Sequence, residues 1–375
     1  MKSKIWLSSP HMGGSEQKFV KEAFDTNWIA PLGPNVIGFE TDIEFYLNEN
    51  KHIAGLSSGT AAIHLALVQL GVSRGDEVIC QTFTFCGSAN PIIYQGAKPI
   101  FVDSELDTWN MCPKNLDEAI KDRIAKGKKP RAIIIVHLYG MPAKIDELLE
   151  VAKRHQIPVI EDAAEALGSS YKGRKCGTFG DYSILSFNGN KIITTSGGGA
   201  LVCNSKEEKD KTIFYATQAR DNAPHYQHSQ IGYNYRMSNV SAGIGRGQME
   251  VLDKHVELRQ KMNLFYKNLF KDINGVEVFK EPNENYASNH WLSCITIEND
   301  SDFSKVDFQS AMSEANIETR PLWKPMHLQP VFKDLPYFGN NESETLFNKG
   351  LCLPSGSNLT DDDRDRIFNV VSKFK

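Results

Sequence analysis

Between residues 51 and 161 short apolar runs alternate with longer stretches of helical period, and few folds accommodate that order. Strands are predicted at 52–56, 77–80, 99–102, 132–136 and 157–161, with helices at 60–70, 86–95, 114–127 and 144–155 between them. Such alternation makes βαβ units and a mainly parallel sheet covered by helices on both faces. Ala132-Ile133-Ile134-Ile135-Val136 reads as a buried central strand.

The flanking segments extend this α/β core. Two helices precede it, Ser15 to about Asp25 and about Val36 to Asn50, joined by the unusually apolar, breaker-rich loop Asn27-Trp28-Ile29-Ala30-Pro31-Leu32-Gly33-Pro34. After it come a tight turn at 171–175, strands near 182–187 and 199–203, and helices at 205–219 and 239–270, the last long enough to reach a second domain. The remainder mixes strands (276–279, 291–297) with helices (303–316, 360–374) and lacks βαβ alternation. The expected organisation is a large domain at 1–248 and a smaller α+β domain at 249–375. The 375 residues suit two domains at roughly 150 residues each.

Composition excludes several function classes. Lys plus Arg is 42 and Asp plus Glu is 46, and a net charge of −4 has the wrong sign for nucleic acid or an anionic membrane. The seven cysteines are odd in number and contain no C-x-x-C, so they read as reduced residues rather than disulfides or metal ligands, and no metal is expected. The N-terminus turns polar after three apolar residues, and no 18-residue apolar run occurs, which predicts a cytoplasmic protein.

The common nucleotide motifs are missing: there is no G-x-G-x-x-G after the first strand and no G-x-x-x-x-G-K-[ST]. Three other segments carry chemistry. Ser57-Ser58-Gly59-Thr60-Ala61-Ala62 lies between a strand and an apolar helix, where free backbone N–H groups can cradle a phosphate, although such turns also simply cap helices. Val159-Ile160-Glu161-Asp162-Ala163-Ala164-Glu165 puts acids at the carboxyl edge of the sheet, where open α/β folds bind ligands. Lys191 stands in an apolar, glycine-rich stretch, Ser186-Phe187-Asn188-Gly189-Asn190-Lys191-Ile192-Ile193, that ends in Gly197-Gly198-Gly199. A lone lysine ordinarily lies on a solvated surface, but a desolvated amine can form a Schiff base. Together the three segments fit one cofactor, pyridoxal 5′-phosphate: its phosphate at the 58–61 helix start, its ring nitrogen against Asp162, its aldehyde on Lys191.

The ordered set of these segments resembles the sugar-nucleotide aminotransferases, fold type I pyridoxal-phosphate enzymes. The likeness runs from Pro10-His11-Met12-Gly13-Gly14 to Leu353-Pro354-Ser355-Gly356. It is nearest to the UDP-4-keto-6-deoxy-N-acetylglucosamine 4-aminotransferases of bacillosamine biosynthesis, through Asn27–Gly33, Phe187–Lys191, Gly232-Tyr233-Asn234-Tyr235-Arg236 and Glu318–Lys324. The resemblance implies that Lys191 carries the cofactor's aldehyde and Asp162 pairs with its ring nitrogen. It further implies Glu165 near the phenolic oxygen, Phe85 against the ring face, and Gly59, Thr60 and Ser186 at the phosphate. Phe85 could instead be a core residue. Asn234 would reach the phosphate of a neighbouring subunit, making the active sites those of a homodimer, unless it caps its own helix. Asn27, Trp28, Ile29 and Ala30, with Arg320, Trp323 and His327, would contact the substrate. L-glutamate is the implied amino donor and a UDP-linked 4-keto-6-deoxy sugar the acceptor.

Asn188 and Gly198 stand where many members of the family have His and Glu, and both variants fit the bacillosamine-type subset. The rivals are the same chemistry on a GDP- or dTDP-linked keto sugar, at C4 or C3, and a non-catalytic sensor on the same fold. The family's dehydratases replace the lysine with His, whereas Lys191 is present here.

Overall fold

A computed structural model describes residues 3–375. Its main sheet has eight strands in the order His52–Leu56, Gly199–Cys203, Tyr182–Ser186, Val159–Asp162, Ala132–Val136, Glu77–Gln81, Lys98–Val102 and Tyr337–Phe338. The pairings from Tyr182–Ser186 to Tyr337–Phe338 are parallel, and Gly199–Cys203 runs antiparallel to both its neighbours. All five residues of Ala132–Val136 are buried, as a strand packed on both faces requires. Apolar cores fill the two sides of this sheet, one containing Ile79, Ile133 and Ile135 and the other Val78, Ile134 and Ile160, the alternation that a period of two imposes.

The chain from 239 to 270 differs from the single helix expected. It forms Asn239–Met249 and Leu252–Phe270, broken at Glu250-Val251. The first carries Gly243, Gly245 and Gly247, which let it lie tightly against the two N-terminal helices. A Cβ at Gly245 would come within 2.7 Å of the Phe39 ring, and one at Gly247 within 2.6 Å of the Glu16 backbone nitrogen. Those contacts fix its axis, and the chain turns before the second helix heads for the small sheet.

That small sheet orders Val276–Val278, Ser293–Ile297, Gly350–Leu353 and Arg320–Pro321, all antiparallel. Its last two strands and the edge strand Tyr337–Phe338 differ from the expectation because runs of two to four residues carry no measurable period, and the eight-residue helix Glu342–Lys349 is a further element the sequence pattern does not show. Two segments pass between the bodies. Ile5 is buried in the core beside the small sheet and bridges Ile317, and Met326 donates its N–H to the carbonyl of Thr82, just past the end of the large-sheet strand Glu77–Gln81. Among the described residues no helix is long and apolar enough to cross a membrane.

Candidate active site

The carboxyl ends of the large sheet's parallel strands border a cavity of about 400 Å³. Gly59, Thr60, Phe85, Asp162, Glu165, Ser186, Lys191 and Trp323 all line it, which unites the three segments that the sequence singled out. Ser58 caps the helix Gly59–Gln69 by accepting the Ala61 N–H at 3.0 Å. The earlier N–H groups of that first turn have no intrahelical acceptor, and the helix dipole adds positive potential there. Gly59 leaves the turn open: a Cβ there would meet the Ser186 Cβ at 3.2 Å.

Asp162 ends the strand Val159–Asp162 and is buried. Ser88 donates its hydroxyl to Oδ2 at 2.6 Å, and the Ala164 N–H donates to Oδ1 at 3.1 Å. Thr84 and Ser88 share a further hydrogen bond of 2.8 Å. Burial pushes the Asp162 carboxyl above its ordinary pKa, and these hydrogen bonds only partly oppose it. A desolvated carboxylate held by two neutral donors calls for a cationic N–H opposite it, which a protonated pyridine nitrogen provides.

Lys191 Nζ lies 3.4 Å from Glu165 Oε1 and 3.9 Å from the centre of the Trp291 ring. Glu165 Oε2 accepts the Tyr139 N–H at 2.7 Å. Burial raises the Glu165 pKa, and the Lys191 charge is the main influence lowering it. The lysine amine, the buried acid and the helix start thus face one space, and together they fit pyridoxal phosphate.

Phe85 is not a core residue: it is 59% exposed, beside Trp323 with ring centres 6.3 Å apart. Nor does Asn234 cap a helix, since Ser238 does so by accepting the Ser241 N–H. Asn234 is exposed and outside the cavity of its own chain, bridged through its backbone to Thr217.

The other proposed substrate contacts also lie outside that cavity. Asn27, Trp28, Ile29 and Ala30 form an exposed loop, because Asn239 ties the Trp28 and Ala30 carbonyls to the start of its own helix. Arg320 is exposed and paired with Glu318 at 2.8 Å. His327 is turned onto Thr82, whose hydroxyl lies 2.7 Å from Nδ1, and stacks on Tyr337 at 3.9 Å.

Sequence reasoning missed Ser88, Tyr139 and Trp291. Each reaches the site from an element distant in the chain, and an isolated Ser, Tyr or Trp in an apolar context carries no signal. A neighbouring group, His137, Glu161 and Cys176, has metal-ligand chemistry but no free lone pairs on its carboxylate. Glu161 already accepts from His137, from the N–H groups of Gly177, Phe179 and Gly180, and from the Ser183 hydroxyl. Burial works to raise its pKa, yet those donors bring it down to about 2.

Comparison with known proteins agrees with this geometry. The model of the DegT/DnrJ/EryC1/StrS aminotransferase family matches residues 10–372. The "Putative pyridoxal phosphate-dependent aminotransferase EpsN" of Bacillus subtilis (strain 168) is 50% identical over 99% of this chain and 96% of its own length. The GDP-perosamine synthase of Escherichia coli O157:H7 is 37% identical over 99% of this chain and 98% of its own. The crystal structure of a DegT DnrJ EryC1 StrS aminotransferase from Brucella abortus superimposes with a TM-score of 0.89 at 28% identity, covering 96% of this chain and 95% of that one. A family match along nearly the whole chain, with half of all residues shared with EpsN, means that the chain belongs to the DegT/DnrJ/EryC1/StrS aminotransferase family and is a pyridoxal-phosphate-dependent sugar aminotransferase.

Proposed function

We propose that the protein moves the amino group of L-glutamate to C4 of a nucleoside-diphosphate-linked 4-keto-6-deoxy sugar, with the UDP-linked N-acetylglucosamine derivative as acceptor. The observation that carries the chemistry is a lysine amine and a buried, cation-seeking carboxylate facing one cavity with a helix N-terminus. When bound, pyridoxal phosphate supplies an aldehyde that exchanges between amines and a ring that accepts electrons.

The rest belongs to the chain. Asp162, fixed by Ser88 and Ala164, presents its charge to the ring nitrogen and keeps a proton there. The Lys191 amine would hold the cofactor's aldehyde, and as a free amine it would act as the general base for the α-carbon proton of glutamate. Glu165 stays within reach of that amine and steadies its ammonium form. In the second half of the cycle the same amine returns a proton at C4 of the sugar. Gly59, Thr60 and Ser186 would hold the phosphate, and Phe85 would lie against the ring.

The acceptor is assigned from the Asn27–Gly33 and Glu318–Lys324 segments, which resemble the bacillosamine-type enzymes. Similarity to GDP-perosamine synthase favours a second reading, a GDP-linked sugar. A panel of UDP-, GDP- and dTDP-linked 4-keto-6-deoxyhexoses tested with glutamate separates the two. We expect kcat/KM to be highest for the UDP N-acetyl sugar. A tenfold preference for the GDP substrate, about 1.4 kcal/mol of transition-state discrimination, would reverse the assignment and leave the aminotransferase intact.

We also propose a homodimer with shared sites and a cytoplasmic setting. Trp28, Ile29, Leu32, Tyr226 and Ile231 are between 40% and 81% exposed, apolar side chains that a partner subunit would cover. In this reading Asn234 and the Asn27–Ala30 loop serve the neighbouring subunit's cavity, while Arg320 and His327 meet parts of the sugar nucleotide that extend beyond it. Lys191→Ala and Asn234→Glu subunits, each inactive alone, are expected to regain activity when mixed, because one hybrid site receives only intact residues. Arg236 is left untouched, since it bonds Glu40 and the Gly55 carbonyl inside its own subunit. Full activity of a proven monomer, or no recovery despite proven subunit exchange, would refute sharing.

A further inference from the structure

Lys191 is held less by its own side chain than by the peptide group that precedes it. The Asn190 carbonyl accepts two hydrogen bonds, from Trp291 Nε1 at 2.6 Å and from the Ser8 hydroxyl at 2.8 Å. Both donors are tied to one side chain. Arg259 Nη1 donates to the Trp291 carbonyl at 2.6 Å, and Nη2 donates to Ser8 Oγ at 3.0 Å. Through these two donors one residue of the helix Leu252–Phe270 reaches the peptide group that precedes the lysine.

Arg259 is an unusual choice for that place. It is 1% exposed, its Nε has no partner, and among the described residues no carboxylate lies within ion-pair distance. A buried charge without a counter-ion is costly, and an apolar side chain of the same size would relieve that cost. What the guanidinium adds is a rigid fork that engages two acceptors at once. Here these belong to the N-terminal strap and to the segment entering the small sheet, both of which converge on Asn190. The second acceptor residue also supplies the ring over which the Lys191 amine sits.

We propose that Arg259 is a positioning residue for the reaction: by fixing Ser8 and Trp291 it sets the Asn190 carbonyl, and with it the place of the Lys191 amine. The proposal rests on reading Lys191 as the lysine that carries the cofactor. Loss of the fork lets the segment 190–192 shift while the core around it stays packed, so the amine meets its targets less often in the right geometry.

The test uses Arg259→Met, Arg259→Lys and, as the milder removal of one leg, Ser8→Ala. Met262→Ala, on the same helix but in the small-domain core, serves as the control for lost stability. The first readout is made on the cofactor-free protein: the rate at which added pyridoxal phosphate becomes trapped by borohydride on the Lys191 peptide, followed by mass spectrometry. The second is the glutamate half-reaction with α-deuterated donor. Arg259→Met is expected to slow trapping and proton transfer by about tenfold to a hundredfold, the range that small misplacements of reacting groups produce. Its primary isotope effect should rise while KM for glutamate stays within about threefold. Arg259→Lys should recover part of the rate, Ser8→Ala should move the same readouts less, and Met262→Ala should leave them unchanged. If Arg259→Met does not fold, Ser8→Ala decides. Unchanged trapping and isotope effects in folded clamp variants, or equal changes in Met262→Ala, overturn the clamp alone. An adduct found on another lysine in the unaltered protein overturns the site reading and the clamp with it.

Discussion

Replacing Lys191 with alanine is expected to lower turnover at least about 10⁴-fold, the upper range for loss of a general acid–base group, and to abolish the visible band of the lysine-bound cofactor. The fold should survive. Apart from its place over the Trp291 ring, the Lys191 side chain makes one polar contact, to Glu165 at 3.4 Å. Glu165 left without that cation can take up a proton, toward which burial already pushes it. The Asn190 carbonyl keeps both its donors, so the surrounding segment remains in place. Lys191→Arg is the informative companion: it retains a positive charge near Glu165 but cannot hold the aldehyde, and it should be equally inactive. Stopped-flow spectra with glutamate, alongside thermal melts, check both variants. More than about one per cent of the normal half-reaction rate in Lys191→Ala, some two decades above the expected residue, would move the central role to another amine.

How far the sequence revealed this site follows from the length scale of each signal. The strand Ala132–Val136 and the helices around it were legible because five buried apolar residues, or several helical turns, repeat a period. Asp162 and Lys191 were legible because a charge at a strand's end or in an apolar stretch breaks such a pattern. Ser88 was not, for its hydroxyl matters only through a contact with Asp162, 74 residues away in the chain. Arg259 lay within an ordinary helical pattern of charged and apolar residues, and only its 1% exposure separates it from a solvated arginine. The Asn27–Ala30 loop and Asn234 were recognised by resemblance, yet they lie outside the cavity of their own chain. In the dimer proposed above they would serve the neighbouring subunit's cavity, and a resemblance between sequences carries no information on which subunit a residue faces.

The second large effect is expected at Asp162. Asparagine has the same shape, and its side-chain oxygen can still accept from Ala164 while its amide faces Ser88. The Ser88 hydroxyl can then turn toward Thr84, 2.8 Å away, so the hydrogen-bond geometry closes without strain. What disappears is the charge. A cationic ring nitrogen held against this position would lose its charged partner, and it would shed its proton instead of remaining an electron acceptor. Breaking a buried charge pair by removing one member costs about 3–5 kcal/mol. At about 1.4 kcal/mol per tenfold in rate, the glutamate half-reaction should slow by a factor between about 10² and several times 10³. Binding of the cofactor should change far less, because the helix start at Gly59 and Thr60 and the Lys191 amine remain. Single-turnover rates at saturating cofactor, set against equilibrium binding of pyridoxal phosphate, separate the two quantities. A loss of binding as large as the loss of rate would make Asp162 an anchor rather than the group that keeps the ring nitrogen protonated. Near-normal rates in Asp162→Asn would assign that task to another acid, for which Glu165, buried 3.4 Å from the lysine amine, is the remaining candidate in the cavity.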